Sequence, residues 1–132
     1  MEANFSRSYI ERLFLERDFD SLHQVISVVE AERPLPEEFW LFCRLFEWAP
    51  SRSGVWQYYE GTPAETVNRV LASLNRFHLT AIAARCAAGA KSRSATQSLD
   101  TLDYWLEANA AVVHSAAFQL IEKHQLLLAG GA

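Results

Sequence analysis

The sequence predicts an all-α fold of about six to seven helices that ends in a long C-terminal helix. Three observations carry this prediction. Apolar residues recur at spacings of three and four in almost every segment. Prolines and glycines punctuate the chain where those stripes stop. No stretch alternates apolar and polar residues at the two-residue period of a strand. With 132 residues, half of them hydrophobic and 16 aromatic, the chain has the size and apolar content of one domain with its own core, spanning 1–132.

The elements follow in order. Phe5, Tyr9, Leu13 and Phe14 make one helical stripe over residues 3–16, and Leu22, Val25, Ile26 and Val29 make a second over 18–32. Arg33-Pro34-Leu35-Pro36 interrupts it. Pro36 suits a first helical turn because its missing N–H has no partner to lose there. Glu37 and Glu38 suit the positive end of the same helix. That helix should run to Trp48, apolar on more than one side and therefore central. Ala49 to Gly54 reads as a turn, and Val55 to Glu60 as a short helical segment.

Thr62-Pro63-Ala64-Glu65 has the form of a capping box with proline in the first helical position. Val67, Val70, Leu71 and Leu74 supply the face that follows. A partner helix is expected from Phe77 to Ala88, ending at Gly89, and 91–97 reads as a polar loop. The long last helix is expected from Leu99 to about Leu126. Ser98 caps it, Asp100 and Asp103 match its positive end, and a stripe runs through Leu102, Trp105, Leu106, Val112, Val113, Ala116, Leu120 and Ile121. Asn109 is the polar member of that stripe. Residues 128–132 read as a frayed tail.

Charge and motif content narrow the function classes. The net charge is -4. Residues 1–60 hold 11 acidic and 6 basic side chains, and residues 61–132 hold 5 and 6. An acidic first half and no dense Lys/Arg patch argue against nucleic-acid binding. No leader sequence and no membrane-spanning apolar run is visible, so a cytoplasmic location is expected. Cys43 and Cys86 lie in apolar stretches and read as buried free thiols. His23, His78, His114 and His124 lack metal-ligand spacing, so no metal is expected. There is no P-loop, dinucleotide fingerprint or nucleophile elbow, so no cofactor and no catalytic residue is assigned. Asp100, Asp103 and Glu107 share a helix face, as an acidic strip or as dipole-matching residues.

The aromatic middle is the most distinctive feature. Residues 39–59 contain Phe39, Trp40, Phe42, Phe46, Trp48, Trp56, Tyr58 and Tyr59, half of all the aromatics. Most of these belong in a core. Those flanking the Pro50–Gly54 turn are also candidates for a binding surface, together with Glu47, Arg52 and Gln57.

Glu47 followed by Arg52-Ser53-Gly54-Val55-Trp56-Gln57-Tyr58-Tyr59 resembles the signature of the bacterial DNA-mimic protein C-terminal domain family. That signature is a glutamate, then Asn-Gly-Gly-Phe, any residue, and Gln-Tyr-Phe. Gly54, Gln57, Tyr58 and Tyr59 fit its end. The helical pair at 65–88 and Leu99-Asp100-x-Leu102-Asp103 resemble its layout, so the likeness covers about 36–126. Arg52-Ser53 stands where Asn-Gly is usual, Val55 replaces the phenylalanine, and Glu60-Gly61 replaces a following asparagine. The resemblance implies an all-α fold with no established catalytic residues. DNA mimicry is not carried over, because 12 basic residues dilute the negative charge it needs.

These readings favour a non-enzymatic, acidic protein-binding module, such as a bacterial immunity or inhibitor protein, whose partner is another protein. Glu11, Glu16, Asp18, Asp20, Glu37 and Glu38 would steer a basic partner. The alternatives are a small-ligand or catalytic site near Glu47 and Gln57, and a homodimer. The candidate binding or structural motif is Glu47, Trp48, Arg52, Gly54, Trp56, Gln57, Tyr58 and Tyr59.

Overall fold

The computed structural model describes residues 5–48, 55–91 and 96–129, apart from the side chains of 56 and 96–99. Within these residues the fold is all-α. The helices are α1 (Arg7–Glu16), α2 (Phe19–Glu32), α3 (Glu37–Trp48), α4 (Trp56–Gly61), α5 (Ala64–Arg76), α6 (Thr80–Lys91) and α7 (Thr96–Glu122). A 3-10 turn, Gln125–Leu128, follows α7. At 27 residues α7 is the longest element, about 40 Å at ~1.5 Å per residue. No helix among the described residues is long and apolar enough to cross a membrane. The chain forms two compact units, one of residues 1–46 with 117–132 and one of residues 47–116.

In the first unit, local polar groups set the helix ends. The Ser6 hydroxyl accepts the Tyr9 N–H at 3.1 Å and opens α1. Arg17 closes α1 in the left-handed region at φ 51°, where Asp18 N–H turns back to the Leu13 carbonyl at 3.0 Å. Asp18 then caps α2, accepting from Ser21 N–H at 3.1 Å and from its hydroxyl at 3.0 Å. The core is a run of rings from several elements. Phe14 and Phe118 are 5.5 Å apart, Phe118 and Phe19 5.8 Å, Phe19 and Phe42 6.2 Å, and Phe42 and Phe46 6.5 Å. These spacings lie within the range of favourable aromatic pairs.

The end of the chain is tied into this unit. Arg33 Nη2 donates to the Leu127 carbonyl at 3.1 Å, and His124 Nε2 lies 3.3 Å from Glu38 Oε2. Leu128 is fully buried, and Ala129 forms an isolated bridge with Phe5. Residues 128 and 129 are therefore held, not frayed; residues 130–132 lie outside the described residues.

In the second unit α5 and α6 pack against each other, and α4 packs on α6. Several sequence expectations are corrected here. Thr62 makes no capping box. Pro63 has an extended ψ of 146° and sits at the cap position, and no side chain bonds the first turn. Pro63 also disfavours helical geometry at Thr62, which is extended at φ -110° and ψ 125°. Phe77 does not begin α6. It belongs to the close of α5, where Leu79 N–H returns to the Leu74 carbonyl at 2.8 Å across His78 at φ 63°. Gly89 does not end α6, which continues to Lys91.

The stripe on α7 also differs. Leu102, Leu106, Val113, Ala117, Phe118 and Ile121 are buried, but Val112 is 58% exposed. Because α7 begins at Thr96, Asp100 and Asp103 lie beyond its first turn, and the dipole explanation for them fails. Asn109 donates to the Trp105 carbonyl one turn back at 2.8 Å, so its amide is satisfied within the helix.

His78 is exposed and holds a left-handed conformation that costs a side chain about 1 kcal/mol. His78→Gly should raise stability by roughly that amount, read as a higher urea midpoint with an unchanged m-value.

Candidate functional site

The aromatic motif comes together around one phenol. Trp48 ends α3 and Tyr59 lies in α4, 1% and 0% exposed respectively. Trp48 Nε1–H donates to Tyr59 Oη at 3.0 Å, and the Tyr59 hydroxyl donates to the Cys86 carbonyl on α6 at 2.8 Å. The hydroxyl is thus acceptor and donor at once, which is what a buried phenol requires. Tyr58 packs edge-on against Tyr59 with centroids 5.2 Å apart.

Gly89 explains how the ring reaches α6. A Cβ at this position would lie 2.5 Å from Tyr59 Oη, 2.6 Å from its Cζ and 2.7 Å from Leu102 Cδ2. These distances are well inside van der Waals contact, so only glycine leaves room for the ring. Gly89 is a seat for the tyrosine, which is why a glycine occurs within a continuous helix.

A second contact fixes the start of α4. Val55 N–H, at the cap position, donates to Asp103 Oδ1 at 2.7 Å, and the Val55 side chain is fully buried. This charge-assisted bond joins residues 48 apart in the chain. Asp103 is therefore a partner of the Val55–Tyr59 segment.

The electrostatics keep this cluster neutral. Burial drives the Tyr59 phenol far above the usual range, and the neighbouring Cys86 thiol adds to the shift. Burial also pushes the Cys86 thiol up to about 11, opposed by its hydrogen bond with Tyr59. Near neutral pH Cys86 is a thiol, not a nucleophilic thiolate. Cys43 and Cys86 are both buried, and neither is in a disulfide. His114 is half-buried, and desolvation lowers its pKa, favouring the neutral ring. Among the described residues no three His, Cys, Asp or Glu side chains are grouped to hold a metal ion.

The sequence-predicted residues divide clearly. Trp48, Tyr58 and Tyr59 are buried together, whereas Glu47 and Gln57 are exposed. Arg52, Gly54 and the Trp56 side chain lie outside the described residues. Of the acids expected to steer a partner, Asp18 caps α2, Glu38 faces His124, and Glu11 pairs with Arg7 at 2.8 Å; Glu16 and Asp20 are exposed. The partners that sequence reasoning missed are Cys86, Gly89, Leu102 and Asp103. Gly89 alone carried a readable signal, as a glycine between apolar helical residues.

A different surface is exposed on α7. Tyr104 is 75% and Val112 58% accessible, and Tyr104 lines a shallow recess with Asp100, Asp103 and Glu107. Compared with protein families, characterised proteins and solved structures, the chain matches none.

Tyr59→Phe should cost about 1–3 kcal/mol, because the Trp48 indole and the Cys86 carbonyl lose their shared partner. Gly89→Ala should cost a similar ~1–3 kcal/mol by overpacking. The double variant should cost less than the sum, since one of the collisions disappears with the hydroxyl; additive denaturation energies would refute the shared contact. Alkaline pH gives a separate check. Between about pH 9 and 11 the unfolded Cys86 thiol ionises while the folded one stays protonated, so unfolding releases a proton and stability falls as pH rises. Urea midpoints measured across this window should decline, and decline less steeply in Cys86→Ala.

Proposed function

We propose that this protein is a non-enzymatic binding module that presents α7 to another protein. The observation that carries this reading is Tyr104, a large aromatic residue 75% exposed on the longest helix. Exposed tyrosines make strong interface anchors because their rings bury much area at little entropic cost. Asp100 and Glu107 border the same recess, and exposed Val112 lies two helical turns further along. A ring between carboxylates suits a partner that offers basic side chains beside an apolar contact. An immunity or inhibitor protein facing a basic target is the concrete form of this proposal. The likeness of Gln57-Tyr58-Tyr59 to the DNA-mimic C-terminal domain signature is held on the same footing, as a proposal about ancestry.

The test is affinity capture from the native cell with the intact chain and its Tyr104→Ala variant. A specific partner should bind the parent protein and be lost, by tenfold or more in affinity, from Tyr104→Ala. Asp100→Lys with Glu107→Lys should mainly slow association, and more so at low salt. Equal capture by the parent and Tyr104→Ala would refute the assignment.

A further inference from the structure

The first unit carries a second surface whose chemistry differs from that of the α7 face. Helix α1 buries Ile10, Leu13 and Phe14, yet its Leu15 is 86% exposed, more than any other large apolar residue described. Leu15 borders a recess with Phe14 and Phe118. A second recess containing Leu126, which is 49% exposed, shares Glu11, Glu122 and Gln125 with the first. The two make one groove between α1 and the end of the chain, with leucines at its surface.

The charges along this groove are mixed. Glu11 and Glu122 stand with Arg7, Arg17 and Lys123. Arg7 is engaged by Glu11 at 2.8 Å, and Arg17 lies over the Phe118 ring at 4.9 Å. Glu122 and Lys123, adjacent in sequence and opposite in sign, make no ion pair among the described residues. A partner of one dominant charge would meet repulsion somewhere along such a groove. A second copy avoids this where opposite charges are neighbours: in a two-fold interface residue i meets residue j and j meets i, so Glu122 and Lys123 of one copy face Lys123 and Glu122 of the other.

We propose that this groove is a self-association surface, in which Leu15 and Leu126 of two copies form the apolar centre and Glu122 of each copy pairs with Lys123 of the other. The interface is reversible, because the apolar content exposed here is small beside that of an obligate dimer.

The test is sedimentation velocity on the full chain over a concentration series from about 1 µM to about 1 mM, the range of weak reversible dimers. The parent protein should pass from monomer to dimer. Leu15→Glu should weaken dimerisation by at least tenfold with an unchanged melting curve, because Leu15 is not part of the core. Glu122→Lys and Lys123→Glu should each weaken it, and the double exchange should restore it. A parent protein that stays monomeric throughout overturns the proposal, as does a Leu15→Glu variant that dimerises normally. A monomeric chain that loses a cellular partner through Leu15→Glu would give the groove to another protein instead. Because Tyr104→Ala leaves this groove untouched, failure here is distinguishable from failure of the α7 reading.

Discussion

The second unit depends on one hydroxyl. Tyr59 Oη joins the end of α3, through the Trp48 indole, to the backbone of α6, through the Cys86 carbonyl. Burying a phenol and an indole brings two polar groups out of water, and each is worth more to the fold paired than it costs to desolvate only if the geometry is met. Gly89 meets it by having no Cβ. Asp103 then fixes the segment from the other side by binding the Val55 N–H. Three elements, α3, α4 and α6, thereby share one small polar cluster, and α7 holds the start of α4 through a separate bond.

This changes the meaning of the aromatic motif. Its composition fits a binding surface as well as it fits a core. In the fold Trp48, Tyr58 and Tyr59 point inward, and Cys86 beside them is held as a neutral thiol. Glu47 and Gln57, the polar members, face outward. The residues conspicuous in the sequence position the helices. The most exposed of the large apolar residues described, Leu15 and Tyr104, are inconspicuous in it.

Much of the helical layout was legible because it rests on local rules. The Pro34-Leu35-Pro36 tract separates α2 from α3, Glu37 and Glu38 lie in the first turn of α3, and most of the apolar stripe residues of α1, α2 and α5 fall on buried faces. Elsewhere a residue distant in the chain decides the outcome. Gly89 resembles a helix stop until the tyrosine 30 residues earlier is seen to need the space. Asp103 resembles a first-turn acid until its bond to Val55 appears. Thr62-Pro63 had the composition of a cap, but an extended Pro63 moved the helix start past it. Val112 and Val113 cannot be ranked by periodicity alone, since neighbouring positions on a long helix differ in burial according to what packs beside them. Leu15 lies outside the α1 stripe that Leu13 and Phe14 belong to, and its exposure follows that periodicity.

Hydrogen exchange at the Trp48 indole N–H, followed by NMR, tests the central claim most directly. If the Tyr59 hydroxyl holds that group in a dry, packed cluster, the indole proton exchanges only through global unfolding and ranks among the slowest in the protein. An indole proton exchanging at the rate of a solvent-exposed tryptophan would contradict the account.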